Sequence, residues 1–300
     1  MVIDEAGMVG TRQLARVADQ LRMRGCKLVL VGDPDQLQPI QAGTPFRDIV
    51  EANGAARLTE ILRQSSAWQR DASRDLANGQ TAQALQRYAD HGAVHESPDR
   101  DQAIAALVRD YIADRQKHGA NSSRLALAHR RVDVHAINQA IKSAIATQGE
   151  VTDEALFDTD HGPRAFATGD RILFTRNDHT LGVRNGMLGT VKTVGESQLS
   201  VELDPNEEGW RRNLTFKPKN FPAIDHGFAV SIHRSQGCTV DRSFVLSSRT
   251  LDRNLTYVAL TRHKEKSGFY SAPDIAPRSH LVRRERLDPK DIRSRGPSRS

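Results

Sequence analysis

VIDEAG at Val2–Gly7 and LVLVGDPDQLQPI at Leu28–Ile40 are two short apolar runs, each ending in polar groups, with a helical interval between them. Two β-type runs around one helix are the pattern of a buried parallel sheet, whose strands are covered on both faces. The polar residues of such a sheet fall at the carboxyl ends of its strands, where open α/β folds bind ligands. Asp4 and Glu5 close the first run; Gly32, Asp33 and Gln36 follow the second. An acid pair in that position suits chemistry on a metal-bound phosphate. One carboxylate holds Mg²⁺ through oxygen and its neighbour takes a proton from an attacking water. Between the runs, Leu14, Val17, Ala18 and Leu21 recur at helical spacing, Gly25 marks a stop, and Pro34 and Pro39 stiffen the turn after the second run.

The 300 residues are 38% hydrophobic, enough for two cored domains and too apolar for a disordered chain. A net charge of +6 favours a polyanionic partner. Cys26 and Cys238 lie far apart with no zinc-type spacing, which reads as two free thiols in a reducing compartment rather than a disulfide framework. No apolar run approaches the roughly 20 residues needed to span a bilayer, and the N-terminus is acidic where a signal peptide would be basic. The expectation is a cytoplasmic protein with no membrane partner.

Onward from Gly43, the sequence predicts a helix over Phe46–Asn53, a strand over Leu58–Leu62 with Arg63 and Gln64 just after it, and a polar helical connection over Ala67–Tyr88 anchored by Leu76, Leu85 and Tyr88. His91 and His95 have the spacing of a metal pair, but Gly92 between them marks a turn and no metal is assigned there. Asp99–His118 is an amphipathic helix, followed by a strand at Arg124–Ala128 and a helix at Val132–Ile145, with His129 and Arg130 at the strand's carboxyl end. Near Gly162 the pattern changes to short runs at Arg171–Thr175, Gly189–Val194, Leu199–Leu203 and Arg212–Phe216. They are broken by Asn185-Gly186, Gly195 and Asp204-Pro205, which reads as antiparallel hairpins. A strand at Phe228–Ile232 then delivers His233, Arg234, Ser235, Gln236 and Gly237 as a polar turn before Thr239, suited to backbone phosphates. Phe244–Leu246 is a buried strand, Asn254–Leu260 leads into Thr261 and Arg262, and beyond Ala276 the chain becomes a basic, Pro- and Ser-rich tail expected to be disordered.

DEAG at Asp4–Gly7, GDPDQLQPI at Gly32–Ile40, LTEILRQ at Leu58–Gln64, SIHRSQGCT at Ser231–Thr239 and YVALTRHK at Tyr257–Lys264 occur in that order. The series resembles the motifs of superfamily 1 helicases of the RecD-like branch, and is most similar to the helicase part of TraA-type conjugative relaxases. The resemblance covers roughly residues 1 to 270. It implies an α/β fold of the P-loop NTPase type. A partial first RecA-like domain would occupy residues 1–66 and a connecting segment 67–95. A second RecA-like domain would occupy 96–165 and 223–275, interrupted by an SH3-like β-barrel at 166–222, with a tail at 276–300. The insertion either guides single-stranded DNA or is a spacer.

The same resemblance assigns roles. ATP and Mg²⁺ would be held by Asp4 and Glu5 with Gly32, Asp33, Gln36, Arg63, Gly237 and Arg262. Gln36 would sense the γ-phosphate, and Arg63 and Arg262 would face it from the two sides of a cleft. His129, Arg130, His233, Ser235, Gln236 and Thr239 would contact single-stranded DNA, and Tyr257 either stacks on adenine or packs in the core. The family also carries a phosphate-cradling Gly-Lys loop upstream of the acid pair, and this chain contains no Gly-Lys dipeptide. The reading is therefore the C-terminal part of an ATP-dependent 5′ to 3′ DNA helicase of a conjugative relaxase, with the missing N-terminal segment as a partner and negligible ATP hydrolysis by itself. The alternatives are a catalytically silent single-stranded nucleic-acid-binding remnant and a fragment of a RecD-like repair helicase.

Overall fold

The computed structural model describes residues 1–34, 36, 43–56, 58, 60–119, 122–149, 153–205 and 209–277. Asp35 and residues 37–40 of the GDPDQLQPI stretch, with Pro39 among them, lie outside the described residues, as does the tail from 278 onward.

The first part is small. Strand β1 (Val2–Ile3) pairs in parallel with β2 (Val29–Leu30) through helix α1 (Thr11–Met23), and α2 (Pro45–Asn53) follows. Ala6, Leu14 and Phe46 form its buried apolar set. Gly32 permits the strand ends to close on each other, since a Cβ there would sit 3.0 Å from the Ala6 nitrogen and 3.1 Å from that of Gly7. The expected burial of both strands on two faces is not realised: Val2 is 65% and Val29 40% exposed, because a two-stranded ribbon with one helix covers one side at most. Nor is Leu58–Leu62 a strand among the described residues; Leu58 and Leu62 stand in solvent.

The second part is a sandwich. Helices α3 (Ala67–Ala77) and α4 (Thr81–Asp90) precede β3 (Val94–Glu96), α5 (Arg100–His118), β4 (Arg124–Ala128) and α6 (Arg131–Thr147). An antiparallel unit intervenes, made of β5 (Ala155–Thr159), β6 (Gly162–Phe166), β7 (Arg171–Phe174), β8 (Leu188–Val194), β9 (Leu199–Leu203), β10 (Asn213–Phe216) and β11 (Ile224–His226). The chain returns as β12 (Ala229–Ser231), β13 (Val240–Leu246), α7 (Arg253–Leu260) and β14 (His263–Ser271). Strands β12, β4, β13, β14 and β3 form, in that order, a parallel sheet. Alternation along each strand feeds two cores. Leu125, Leu127 and Val245 meet Leu76, Tyr88 and Leu260 on the α3–α4–α7 side, while Ala126, Ala128 and Phe244 meet Leu107, Tyr111 and Ile137 on the α5–α6 side.

The segment expected as a polar connector is thus a core layer. Ala72, Leu76, Ala84 and Tyr88 are fully buried, and the helix breaks at Gly79, whose φ of 80° ends α3. Asp99 and Asp252 cap α5 and α7, accepting from the backbone N–H groups of Gln102 and Leu255 at 2.8 and 2.7 Å.

In the antiparallel unit, β10, β9, β8, β7 and β11 form one sheet in that order, over a phenylalanine core of Phe157, Phe166, Phe174, Phe216 and Phe221. Gly186, at φ 93°, makes the expected turn between β7 and β8. The end strands β10 and β11 do not pair with each other among the described residues, so the sheet does not close into a barrel. Pairing of Ile224–His226 with Ile172–Phe174 carries the unit a few residues past the expected return at 223. A buried ion pair, Lys142 Nζ to Asp170 Oδ2 at 2.6 Å, fastens it to α6.

Candidate nucleotide and nucleic-acid site

The C-terminal turn of α7 gathers two arginines. Arg63, half-buried after an irregular stretch, donates from Nη1 to the Thr261 carbonyl at 2.9 Å. Arg262, 2% exposed, donates from Nε to the Val258 carbonyl at 3.0 Å and from Nη2 to the Thr261 hydroxyl at 3.1 Å. Burial pushes the Arg262 guanidinium down to about 10, with repulsion from Arg63 adding to it, and burial lowers Arg63 as well. Neither makes an ion pair with a carboxylate among the described residues. Two desolvated guanidinium groups without a carboxylate ion pair among the described residues thus lie at one helix end, where negative charge is favoured.

Buried partners surround this turn. Gln64 donates from Nε2 to the carbonyls of Thr261 and His263 at 3.3 and 3.2 Å. His263 is fully buried, and burial first, then the Arg63 charge, pushes it down to about 4, so it stays neutral beside the arginines. Across the cleft, Asp33 Oδ2 accepts from Tyr257 Oη at 2.8 Å and from Gln36 Nε2 at 3.2 Å. Tyr257 is thus tied to Asp33 by its hydroxyl. Sequence reading had no signal for that contact or for the buried roles of Gln64 and His263.

Asp4 and Glu5 stand exposed at the end of β1. Asp4 Oδ1 accepts from the Glu5 N–H at 2.8 Å, and Glu5 takes a left-handed backbone, φ 50° and ψ 38°, that non-glycine residues rarely adopt. The Glu5 charge acts on both Arg63 and Arg262. No cluster of three metal-type side chains exists among the described residues. Two adjacent exposed carboxylates, Asp4 and Glu5, are a donor set of the kind Mg²⁺ takes, with water and phosphate oxygens filling its remaining positions.

A cavity of about 290 Å³ joins Glu5 to Gly186 of the antiparallel unit and to His233, Gln236 and Gly237. It adjoins a larger cleft of about 900 Å³ between α1, α6, β12 and the antiparallel unit. Arg131, Arg164 and Arg234 line the larger cleft, with Asp225 as the opposing charge; Arg164 Nε donates to Asp225 Oδ1 at 2.9 Å. His129 and His233 also line it, with ring centroids 5.5 Å apart, and His129 is lowered by burial and by its neighbour. His129 Nδ1 bonds the Thr250 hydroxyl at 2.7 Å. Gln236 lines both cavities and keeps a buried Nε2 with no hydrogen-bond partner among the described residues. Gly237 is exposed at φ 73°, and Thr239 is exposed.

Two expected contacts stand elsewhere. Ser235 is fully buried and donates to the Ile232 carbonyl at 2.8 Å, so its hydroxyl holds the turn together. Arg130 is engaged by Asp133 at 2.9 and 3.1 Å and does not line the cleft, where its neighbour Arg131 does.

A parallel α/β sandwich carries an antiparallel insertion with the motifs gathered around one cleft, and in sequence the chain is similar to TraA conjugal transfer proteins and to RecD-type helicases. Among particular proteins, a probable conjugal transfer protein TraA of Sinorhizobium fredii is 41% identical over 282 residues, 94% of this chain and 25% of that protein. The RecD subunit of the RecBCD enzyme of Mycolicibacterium smegmatis is 30% identical over 292 residues, 89% of this chain and 49% of that protein. The chain therefore spans about a quarter of its TraA relative and half of RecD. A family model described as AAA domain matches residues 1–99. In fold, the chain is similar to Bacteroides Pif1 bound to single-stranded DNA, with a TM-score of 0.59, 19% identity, and coverage of 98% of this chain and 74% of that one. No helix among the described residues is long and apolar enough to cross a membrane.

Proposed function

We propose that this chain is part of an ATP-driven DNA helicase that acts in conjugative transfer, and that it supplies one wall of the nucleotide cleft and a grip on single-stranded DNA. The observation that carries this is the desolvated pair of half-buried Arg63 and buried Arg262, without a carboxylate ion pair among the described residues, across from Gln36 and within the field of Glu5. Such a pair stabilises charge on the terminal phosphate of a triphosphate, and it favours the closed cleft while that charge is present. Asp4 and Glu5 would hold Mg²⁺, which would neutralise the phosphate oxygens, and Gly32 lets the Asp33 turn approach closely. The polarity, 5′ to 3′, follows the family resemblance.

The DNA grip is the larger cleft. His129, His233 and Gln236 face it and Thr239 stands exposed nearby, while Ser235 donates to the Ile232 carbonyl within the turn and Arg130 pairs with the Asp133 carboxylate. In this reading residues 1–66 belong to the first RecA-like domain and 96–147 with 227–275 to the second, with helices α3 and α4 as its outer layer. The antiparallel unit is the SH3-like insertion that guides the strand. A fluorescence titration with a labelled single-stranded oligonucleotide tests the grip. Affinity should fall roughly tenfold or more between about 50 and 200 mM salt; absent or salt-independent binding overturns the reading.

A second reading for this chain by itself is DNA binding without catalysis. The exposure of Val2, Val29, Leu58 and Leu62 favours it, since the first part buries too little apolar surface to hold a rigid nucleotide site without the strands of a completing segment. DNA-stimulated ATP turnover by this chain alone would contradict it.

A further inference from the structure

The Asp33 carboxylate accepts only, so both groups that reach its Oδ2 are donors: the Gln36 amide nitrogen at 3.2 Å and the Tyr257 hydroxyl at 2.8 Å. That fixes the orientation of the Gln36 carboxamide, because reversing it would set its oxygen against the carboxylate. The other end, Gln36 Oε1, is buried with no hydrogen-bond partner among the described residues. An oriented, unsatisfied acceptor in a cleft awaits a donor.

Tyr257 stands one turn before Thr261, whose hydroxyl donates to the Tyr257 carbonyl at 2.8 Å and accepts from Arg262 Nη2 at 3.1 Å. The Thr261 carbonyl takes Arg63. The turn that holds both arginines therefore also holds the phenol that reaches 224 residues back to Asp33. We infer that Tyr257 is a positioning residue for Gln36: through Asp33 it sets which way the Gln36 carboxamide faces, and so couples that amide to the helix bearing Arg262. A displacement of α7 that moves Arg262 moves the Tyr257 hydroxyl with it, and Asp33 then loses its bond to Tyr257. What the Gln36 acceptor meets, a phosphate-bound water, rests on the function proposed above; the coupling itself does not.

The test is the side-chain amide pair of Gln36 in a ¹⁵N–¹H spectrum of the whole chain, assigned by its loss in Gln36→Glu. Tyr257→Phe removes one oxygen and keeps the ring. The Gln36 pair should shift toward the position of exposed glutamines and exchange with water about tenfold faster, with the Arg262 Nε–H resonance unmoved. Asp33→Asn should produce the same change, and the double variant no more than either alone. An unchanged Gln36 pair in folded Tyr257→Phe overturns the inference, as does a change that appears only with loss of the backbone signals of α7, or unfolding of both single variants. Oligonucleotide binding separates the two readings: DNA bound with Gln36 unresponsive removes this inference alone, and Gln36 responsive without DNA binding removes the proposed function alone.

Discussion

Arg63 and Arg262 share one residue: the Thr261 carbonyl accepts from Arg63 at 2.9 Å and the Thr261 hydroxyl accepts from Arg262 at 3.1 Å. Residues 199 positions apart are thereby held as two cations on one helix end, with desolvation working against both. Such a pair opposes folding unless an anion joins it. That cost is what the proposed anion site entails.

His263 makes stability depend on pH. Its folded value is held down to about 4 by burial, against an ordinary 6.5, so below 6.5 the unfolded chain takes up a proton that the folded chain refuses. The contribution is fully present above 6.5 and is lost as pH falls toward 4. Urea unfolding should show about 2 kcal/mol less stability at pH 5 than at pH 7.5 from this group. His263→Leu should remove that share of the slope whatever it does to absolute stability; an identical slope refutes the assignment.

DNA binding should take up protons. His129 is lowered by burial and by His233 in the larger cleft, and a bound phosphate favours its charged form. Affinity for a single-stranded oligonucleotide should rise between pH 8 and pH 6. Calorimetric titrations in two buffers of different ionisation enthalpy should differ in apparent heat, and His129→Gln should reduce that difference. Arg131→Ala should weaken binding and lower the magnitude of the logarithmic salt slope by about 1.

The antiparallel unit is fastened by Lys142 and Asp170, side chains 12% and 2% exposed. Removing one partner strands a buried charge, so Lys142→Met should cost roughly 3–5 kcal/mol in chemical unfolding. Lys142→Met with Asp170→Leu should cost less than the single change. Equal losses would show that the pair does not act as a unit.

The first part should open before the rest. Its strands are two residues long and leave Val2 and Val29 exposed, whereas the parallel sheet has a core on each face. Limited proteolysis should cut first between Gly54 and Leu62 and leave a resistant product beginning near Arg63. Early cleavage in α5 or β13 would contradict this.

Much of the second part was legible because its signals are local. The apolar faces of 99–118 and 132–145 mark α5 and α6 within a residue or two, and Asn185-Gly186 marks its hairpin. Helices α3 and α4 read as a polar connector because Ala72 and Ala84 bury small faces whose partners lie beyond residue 245. Of the expected site, Arg63, Arg262, Asp33 and Gln36 do gather. Ser235 is buried, which spacing does not show because it does not tell which side of a tight turn faces inward, and Arg130 is engaged by Asp133, three residues on. The Tyr257–Asp33 bond spans almost the whole chain, and no local pattern encodes it.

The central claim, that the two arginines form an anion site, is tested most directly by thermal unfolding with inorganic phosphate at matched ionic strength. Phosphate at about 100 times its dissociation constant stabilises by about 2.7 kcal/mol, a melting-temperature rise of a few degrees. The wild-type chain should show that rise, and Arg63→Gln with Arg262→Gln should abolish it. An equal rise in both, or none in the wild-type chain, would contradict the account.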